Sequence, residues 1–269
     1  MIARLLRFLV IAAAALTLGS LAMVVGYILV RGVPYIRPDL FAPQYTTENV
    51  SMLPAIVNTL IMTVVSLAIA LPLGVFAAIY LVEYARRGSR LVALIRVTAE
   101  TLAGIPSIIY GLFGLLFFVT ALKMGFSILA GAMTLAVMIL PLILRTTEEA
   151  LQSVPDLYRE GSFGLGAGRL RTVFRIVLPS AAPGILAGVI LAVGRIVGET
   201  AALLYTAGTV ANFPKGLLSS GRTLSVHMFA LASEGMYVDQ AYATAVVLLV
   251  MVFGINALSG FIAKRVTKG

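Results

Sequence analysis

Long stretches of this chain carry no charge. Uncharged runs of about 20 residues or more recur along it, and such runs read as membrane-crossing helices, because about 20 residues at a helical rise span the hydrocarbon core of a bilayer. Six are predicted, at residues 8–30, 52–82, 101–121, 125–145, 182–207 and 241–262. The second lies in a 33-residue uncharged run from Val50 to Val82, too long for one straight crossing. Pro54 near its start and Pro72 inside it predict a tilt, a kink or an interfacial turn. The expected fold class is all-α: a polytopic integral membrane protein with six transmembrane helices in one domain over residues 1–269.

The basic residues orient the bundle. With the N-terminus inside, the inner segments hold Arg4, Arg7, Arg86, Arg87, Arg90, Arg96, Arg145, Arg159, Arg169, Arg171, Arg175, Lys264, Arg265 and Lys268. The outer segments hold Arg31, Arg37, Lys123, Lys215 and Arg222. Fourteen against five is a strong positive-inside bias. Both termini are therefore expected in the cytoplasm, which an even number of spans satisfies. The first run, Leu9 to Val30, follows two arginines and resembles a signal peptide, but its 22 residues suffice to span. It reads as an uncleaved first helix, with a cleaved signal as the alternative.

Composition agrees with this class: 60% of residues are hydrophobic, 12% are charged, and the mean hydropathy is +1.04. The net charge of +9 reflects topology and attraction to anionic lipid. The arginines lack the interleaved aromatic platform of a nucleic-acid surface, so no nucleic-acid partner is expected. With no cysteine and one histidine, His227, the chain is not expected to hold a metal or a cofactor. It shows no G-x-S-x-G and no carboxylate pair at helical spacing in its apolar core, so neither catalytic residues nor an enzymatic activity is expected.

Two charges interrupt the apolar pattern. Arg195 and Glu199 lie inside the stretch from Ile176 to Phe213, which carries no other charge. An arginine at the centre of a bilayer costs about 2.5–3.5 kcal/mol on insertion scales, so a chain that retains one needs a partner or a substrate for it. On an unbroken helix, residues four apart share a face. Two readings stand: a self-neutralising Arg195–Glu199 ion pair, or an arginine that meets an anion in transit while Glu199 holds its rotamer and weakens its grip. Arg145, at the inner end of the fourth span, reads either as a side chain snorkelling to the interface or as an exit-side station of the same path. Pro106 and Pro141 are expected to kink the third and fourth spans, and Gly104, Gly111 and Gly114 to allow close helix approach. Glu100 reads as interfacial. His227 is placed on an outer-surface helix with no role, and the outer loop 209–239 is a candidate contact for an extracytoplasmic protein.

The longest inner segment, residues 146–180, carries the remaining signal. Pro155-Asp156 reads as a helix start, and a short helix from about 157 to 165 would display Leu157, Tyr158, Phe163 and Leu165 before a cluster of glycines stops it. Such a knob suits a groove on a partner; the plainer reading is an interfacial loop with a basic face. Glu160-Gly161-Ser162, then three residues, then Gly166, then nine residues, then Ile176-Val177-Leu178-Pro179, is similar to the EAA signature of ABC-importer permeases. The signature's two alanines are here Gly161 and Ser162. In that family the segment forms the coupling helix that seats on the ATP-binding subunit. The resemblance therefore implies an ATPase contact formed by Asp156, Leu157, Tyr158, Arg159, Glu160, Gly161, Ser162, Phe163 and Gly166. The chain itself has no P-loop: Ala167 and Gly168 stand where Lys and Ser or Thr would follow the G-x-x-x-x-G spacing.

The segments Gly104 to Leu115, Leu142 to Pro155 and Gly194 to Gly208 resemble the permeases of phosphate-specific ABC importers. The segment Leu29 to Phe41 looks more like the PstA branch of that family than its PstC partner. The resemblance covers nearly the whole chain. It implies a type I importer permease fold in the cytoplasmic (inner) membrane and a PstC-like second permease. It also implies a homodimeric PstB-like subunit that carries ATP and Mg, and a PstS-like extracytoplasmic phosphate-binding protein. The neighbouring expectations are a PstC-like permease, a permease for sulfate, molybdate or tungstate, or a self-sufficient secondary transporter.

Overall fold

The structure is a computed structural model that describes residues 2–86 and 88–266, with the side chains of residues 2, 3 and 262–266 outside that description. Arg87 and Lys268, two of the inner basic residues, lie outside the described residues. No β-strand occurs among the described residues.

Helix α1 runs from Ile2 to Gly32 and ends in two short 3₁₀ turns, Val33–Tyr35 and Pro38–Phe41, each with proline in its first turn. Helix α2, Leu53–Ile79, takes Pro54 into its first turn, where a missing N–H costs nothing. It continues past Pro72 into a π turn, Tyr80–Tyr84, so the long uncharged run is one 32-residue span.

The third span departs most from a simple crossing. Helix α3, Arg90–Ala103, and helix α4, Ser107–Gly114, meet at 101°, and α4 runs on into a π segment, Leu115–Ala121. The kink expected at Pro106 is therefore a sharp elbow, in a span that begins at Arg90 rather than 101. Pro106 drives it: its ring disfavours the helical conformation at Ile105 and it lacks the N–H that would continue the ladder. The Tyr110 hydroxyl donates to the Leu102 carbonyl at 2.8 Å and pins the elbow from within.

Helix α5, Ile128–Gln152, is the most enclosed of the spans. The Ser127 hydroxyl caps it by accepting from the Ala130 N–H at 3.2 Å. Helix α6, Asp156–Gly164, stands in the inner loop. Helix α7, Arg169–Thr172, a π turn, Val173–Val177, and helix α8, Leu178–Gly198, then form one 30-residue span. That span starts and stops well before 182–207. The chain breaks at Glu199, resumes as helix α9, Ala201–Leu204, and returns as helix α10, Leu224–Glu234, and helix α11, Val238–Val266. Among the described residues, five helices are long and apolar enough to cross a membrane, and the α3–α4 elbow, taken as one span, makes a sixth.

The core lies where α2, α5 and α8 meet, around Met62, Leu135, Met138, Ile139, Ile143 and Ile196, all almost fully buried. Small residues let the backbones approach. A methyl group on Gly74 would strike Ile143, and one on Gly184 would strike Ala150. Gly111 does the same for α4 against α9: a Cβ there would sit 2.8 Å from the Ala202 Cα. In contrast, α1 is exposed along nearly its whole length and touches the bundle chiefly at its outer end, where Gly32 lies against Tyr242 of α11. An apolar helix presented in this way suits lipid.

Candidate translocation and coupling sites

Arg195 lies in the last turn of α8 and is partly buried. Because the helix begins at the inner loop, the arginine is nearer the span's outer end than its middle. Its side chain makes no ion pair and no hydrogen bond among the described residues.

Glu199 is not its partner. Helix α8 ends at Gly198, and Glu199 adopts an extended conformation (φ −72°, ψ 128°), so the four-residue spacing does not place the two charges on one helical face. The Glu199 side chain is buried and accepts the Ala202 N–H at 3.0 Å, capping α9. Its carbonyl accepts the Ser225 hydroxyl at 2.6 Å, tying the break to α10. The carboxylate is thus spent on a chain turn, and Arg195 keeps its charge uncompensated.

Arg145 is already occupied. Its Nε donates to Glu149 at 3.0 Å, and Nη1 lies 3.8 Å from Glu100, with its side chain 58% exposed. Glu148 pairs with Arg96 of α3 and accepts from Gln152 at 3.0 Å. Together these groups line a cytoplasmic cleft of about 240 Å³ and staple α3 to α5. An arginine held between two carboxylates is a poor free station for an anion. Exposed pairs of this kind contribute at most about 1 kcal/mol each.

The inner loop builds a different device. Leu157, Tyr158, Phe163 and Leu165 are exposed on or just beyond α6, Leu165 at 91%. Glu160 is exposed and makes no ion pair among the described residues. Beneath this knob Arg159 turns inward. Its Nη2 and Nε donate to Glu83 at 2.7 and 3.1 Å, Nη2 also to the Leu151 carbonyl at 2.9 Å, and Nη1 to the Val154 carbonyl at 2.8 Å and to Asp156 at 3.3 Å. Every donor of the guanidinium is used, and the pair is largely buried. Glu83 belongs to the π turn that ends α2, so this fork bolts the base of α6 to the second span. Arg159 therefore lies behind the exposed surface rather than on it.

The two departures from the alanine pattern are accommodated separately. The buried Ser162 hydroxyl hydrogen-bonds Thr172 of α7 at 2.8 Å, holding the knob from its other side. Gly161 faces open space, where an alanine methyl would meet nothing. Gly166 turns the chain out of α6 with φ +81°, a left-handed conformation that favours glycine.

Sequence reasoning passed over one cluster. His227 is fully buried in α10, not on an outer surface, and Arg222 beside it is 5% exposed. The His227 ring stands edge-on to Tyr45 at 6.2 Å between centroids, and the Arg222 guanidinium lies over the Tyr45 ring at 4.6 Å. Burial, with the Arg222 charge second, lowers the His227 pKa from its ordinary 6.5 to about 3; the Val50 backbone, which misses hydrogen-bond geometry, offsets part of this. The one available signal was an arginine five residues before a lone histidine in an otherwise apolar helix start.

The architecture is a helical bundle with an exposed knob in its inner loop, anchored to the second span. Residues 70–268 match the binding-protein-dependent transport system inner membrane component family, and the chain belongs to it. It is 34% identical over 94% of both chains to the probable ABC transporter permease protein YqgI of Bacillus subtilis. It is also 34% identical to the phosphate transport system permease protein PstA of Pasteurella multocida, over 85% of this chain and 82% of that one. Similarity extends to the phosphate transport system permease protein PstC of Mesorhizobium japonicum, 32% over 82% of this chain and 75% of that one. Among solved structures, a bacterial alginate ABC transporter in complex with an alginate-bound periplasmic protein aligns with TM-score 0.73 at 18% identity, covering 98% of this chain and 95% of that chain. The protein is a transmembrane ABC-importer permease subunit.

Proposed function

We propose that this chain is the PstA-type permease of an ATP-driven inorganic phosphate importer. It would form half of the translocation path beside a PstC-like second permease and receive phosphate from a PstS-like extracytoplasmic protein. A homodimeric PstB-like subunit, which would bind ATP and Mg, would seat against Leu157, Tyr158, Phe163 and their neighbours. The observation that carries the cargo reading is Arg195: a partly buried guanidinium in a spanning helix, with no carboxylate assigned to it. A planar fork of donors suits a phosphate oxyanion, and a single unreinforced contact suits a site that must release.

The coupling route follows from the bolt at Arg159. As the ATPase subunits close and open, they would move α6, and the Arg159–Glu83 fork would pass that motion to α2 and so to the α2–α5–α8 core. The Pst relatives support phosphate over another oxyanion.

Uptake of labelled phosphate into cells lacking this gene tests the reading, with sulfate and molybdate as competitors. Complementation should restore phosphate-selective uptake, and Glu160→Lys, which reverses an exposed charge on the knob, should lose ATPase association and uptake without lowering the permease's level in the membrane. Restored uptake of a different oxyanion would end the cargo reading. A Glu160→Lys variant with normal uptake would end the coupling account.

A further inference from the structure

Seven buried side-chain nitrogen or oxygen atoms lack a hydrogen-bond partner among the described residues, and five of them belong to Asn58, Arg222 and His227. These three residues form one cluster at the start of α2 and of α10. The Asn58 amide donates to the Arg222 carbonyl at 3.1 Å, Arg222 stacks on Tyr45, and Tyr45 meets His227. Folded proteins leave few buried polar groups unmatched, because each costs about 1–3 kcal/mol and more when charged. One His227 nitrogen faces the Val50 backbone outside hydrogen-bond geometry, and the other four atoms still call for a common explanation.

The identities of the unmatched atoms are informative. On Arg222 they are Nε and Nη2, the two parallel donors with which a guanidinium takes an oxyanion side-on. Tyr45 fixes the plane of that fork, and no carboxylate lies within ion-pairing distance among the described residues. Asn58 contributes an acceptor, Oδ1, and the uncharged His227 ring contributes one donor and one acceptor. A fully deprotonated oxyanion would use the donors alone. An oxyanion that carries a proton would use both kinds.

We propose that Arg222, His227 and Asn58 form an occluded binding site for a protonated tetrahedral oxyanion on the extracytoplasmic side of the permease. Resting on the phosphate reading above, its ligand is hydrogen phosphate in transit, before Arg195. The segment that carries Arg222 is joined to the one that carries Arg195: Ser225, three residues past Arg222, binds the Glu199 carbonyl where α8 breaks just beyond Arg195. The unmatched atoms are fully covered in this conformation, so the segments carrying Tyr45 and Arg222 must part for the ligand to enter.

The test is equilibrium binding of labelled inorganic phosphate to the purified full transporter without its binding protein. Arg195→Met is already in place, so that binding reports this site. Saturable binding is expected, weakened tenfold or more by Arg222→Met and less by Arg222→Lys, which keeps the charge but not the fork. His227→Phe separates a ligand role from a structural one. It keeps the ring against Tyr45 and removes two unmatched nitrogens, so heat stability should hold or rise while phosphate binding weakens and the advantage over sulfate shrinks. Absence of saturable binding in the Arg195→Met transporter overturns the proposal, as does binding indifferent to Arg222→Met. Unchanged binding together with lost docking of the binding protein also overturns it, since the fork would then serve a protein carboxylate. Phosphate uptake by wild-type cells, measured in parallel, tests the cargo reading separately. A transporter that imports sulfate instead would discard the phosphate reading, while loss of its sulfate binding in Arg222→Met would retain the oxyanion site without the proton preference.

Discussion

Arg159 and Arg195 are both arginines with much of their surface buried, and the molecule treats them in opposite ways. Arg159 has every donor matched, by the Glu83 carboxylate, two carbonyls and Asp156. Arg195 has no hydrogen bond or ion pair among the described residues, although Glu199 lies only four residues on. The first arginine is committed to holding α6 on α2. The second keeps its charge for something beyond the chain. Sequence spacing alone does not identify a partner: Glu83 is 76 residues from Arg159 and binds it, whereas Glu199, close to Arg195 in the chain, caps a helix instead.

Breaking the matched region should produce the largest effect. Glu83→Gln leaves a largely buried guanidinium with only the exposed Asp156 as counter-charge and should cost about 3 kcal/mol of stability. That loss would be read as an earlier thermal unfolding transition of the solubilised transporter. The double variant Glu83→Met/Arg159→Met removes both charges and should recover most of the loss, yet still uncouple ATPase activity from uptake, because the bolt is gone. Full stability and normal coupling in the single variant would show that the fork holds nothing together.

The cluster at His227 should respond to pH by an intermediate amount. Its pKa is 6.5 when exposed and about 3 in the folded protein. Below 6.5 the unfolded chain takes up a proton that the folded chain refuses. Stability is therefore fully present above that pH and falls toward pH 3, by about 1.4 kcal/mol per unit, or roughly 2 kcal/mol at pH 5. Unfolding followed between pH 7 and 5 should show this slope in wild type and lose it in His227→Phe.

The smallest effects concern two glycines at the knob. Gly166→Ala should destabilise the α6 turn by about 1 kcal/mol, because φ +81° crowds a Cβ. Gly161→Ala should stabilise α6 by up to about 1 kcal/mol, since its methyl meets open space and alanine favours a helix. Hydrogen exchange over residues 156–166 would resolve both.

Much of the fold was legible because membrane spans announce themselves by length and lack of charge. The α3–α4 elbow was half legible: Pro106 marked a kink, but neither its 101° angle nor the extension of α3 back to Arg90 follows from one proline. The break at Glu199 was invisible, since Gly198-Glu199-Thr200 contains no proline and apolar residues continue on both sides. It depends on tertiary contacts, the cap on α9 and the bond to Ser225. Arg222 and His227 were illegible for a related reason. Their enclosure is supplied by Tyr45 and by Asn58, more than 160 residues away along the chain. The knob at α6 was readable from its motif, but the inward turn of Arg159 was not.

On the phosphate reading, Arg195 is held unpaired for the cargo. Uptake of labelled phosphate by cells carrying wild type, Arg195→Ala or Arg195→Lys, at matched levels in the membrane, tests it most directly. Wild type alone should restore uptake, and both variants should assemble with near wild-type stability, because no partner among the described residues is orphaned. Equal uptake by all three would contradict it and leave Arg195 without a role in transport.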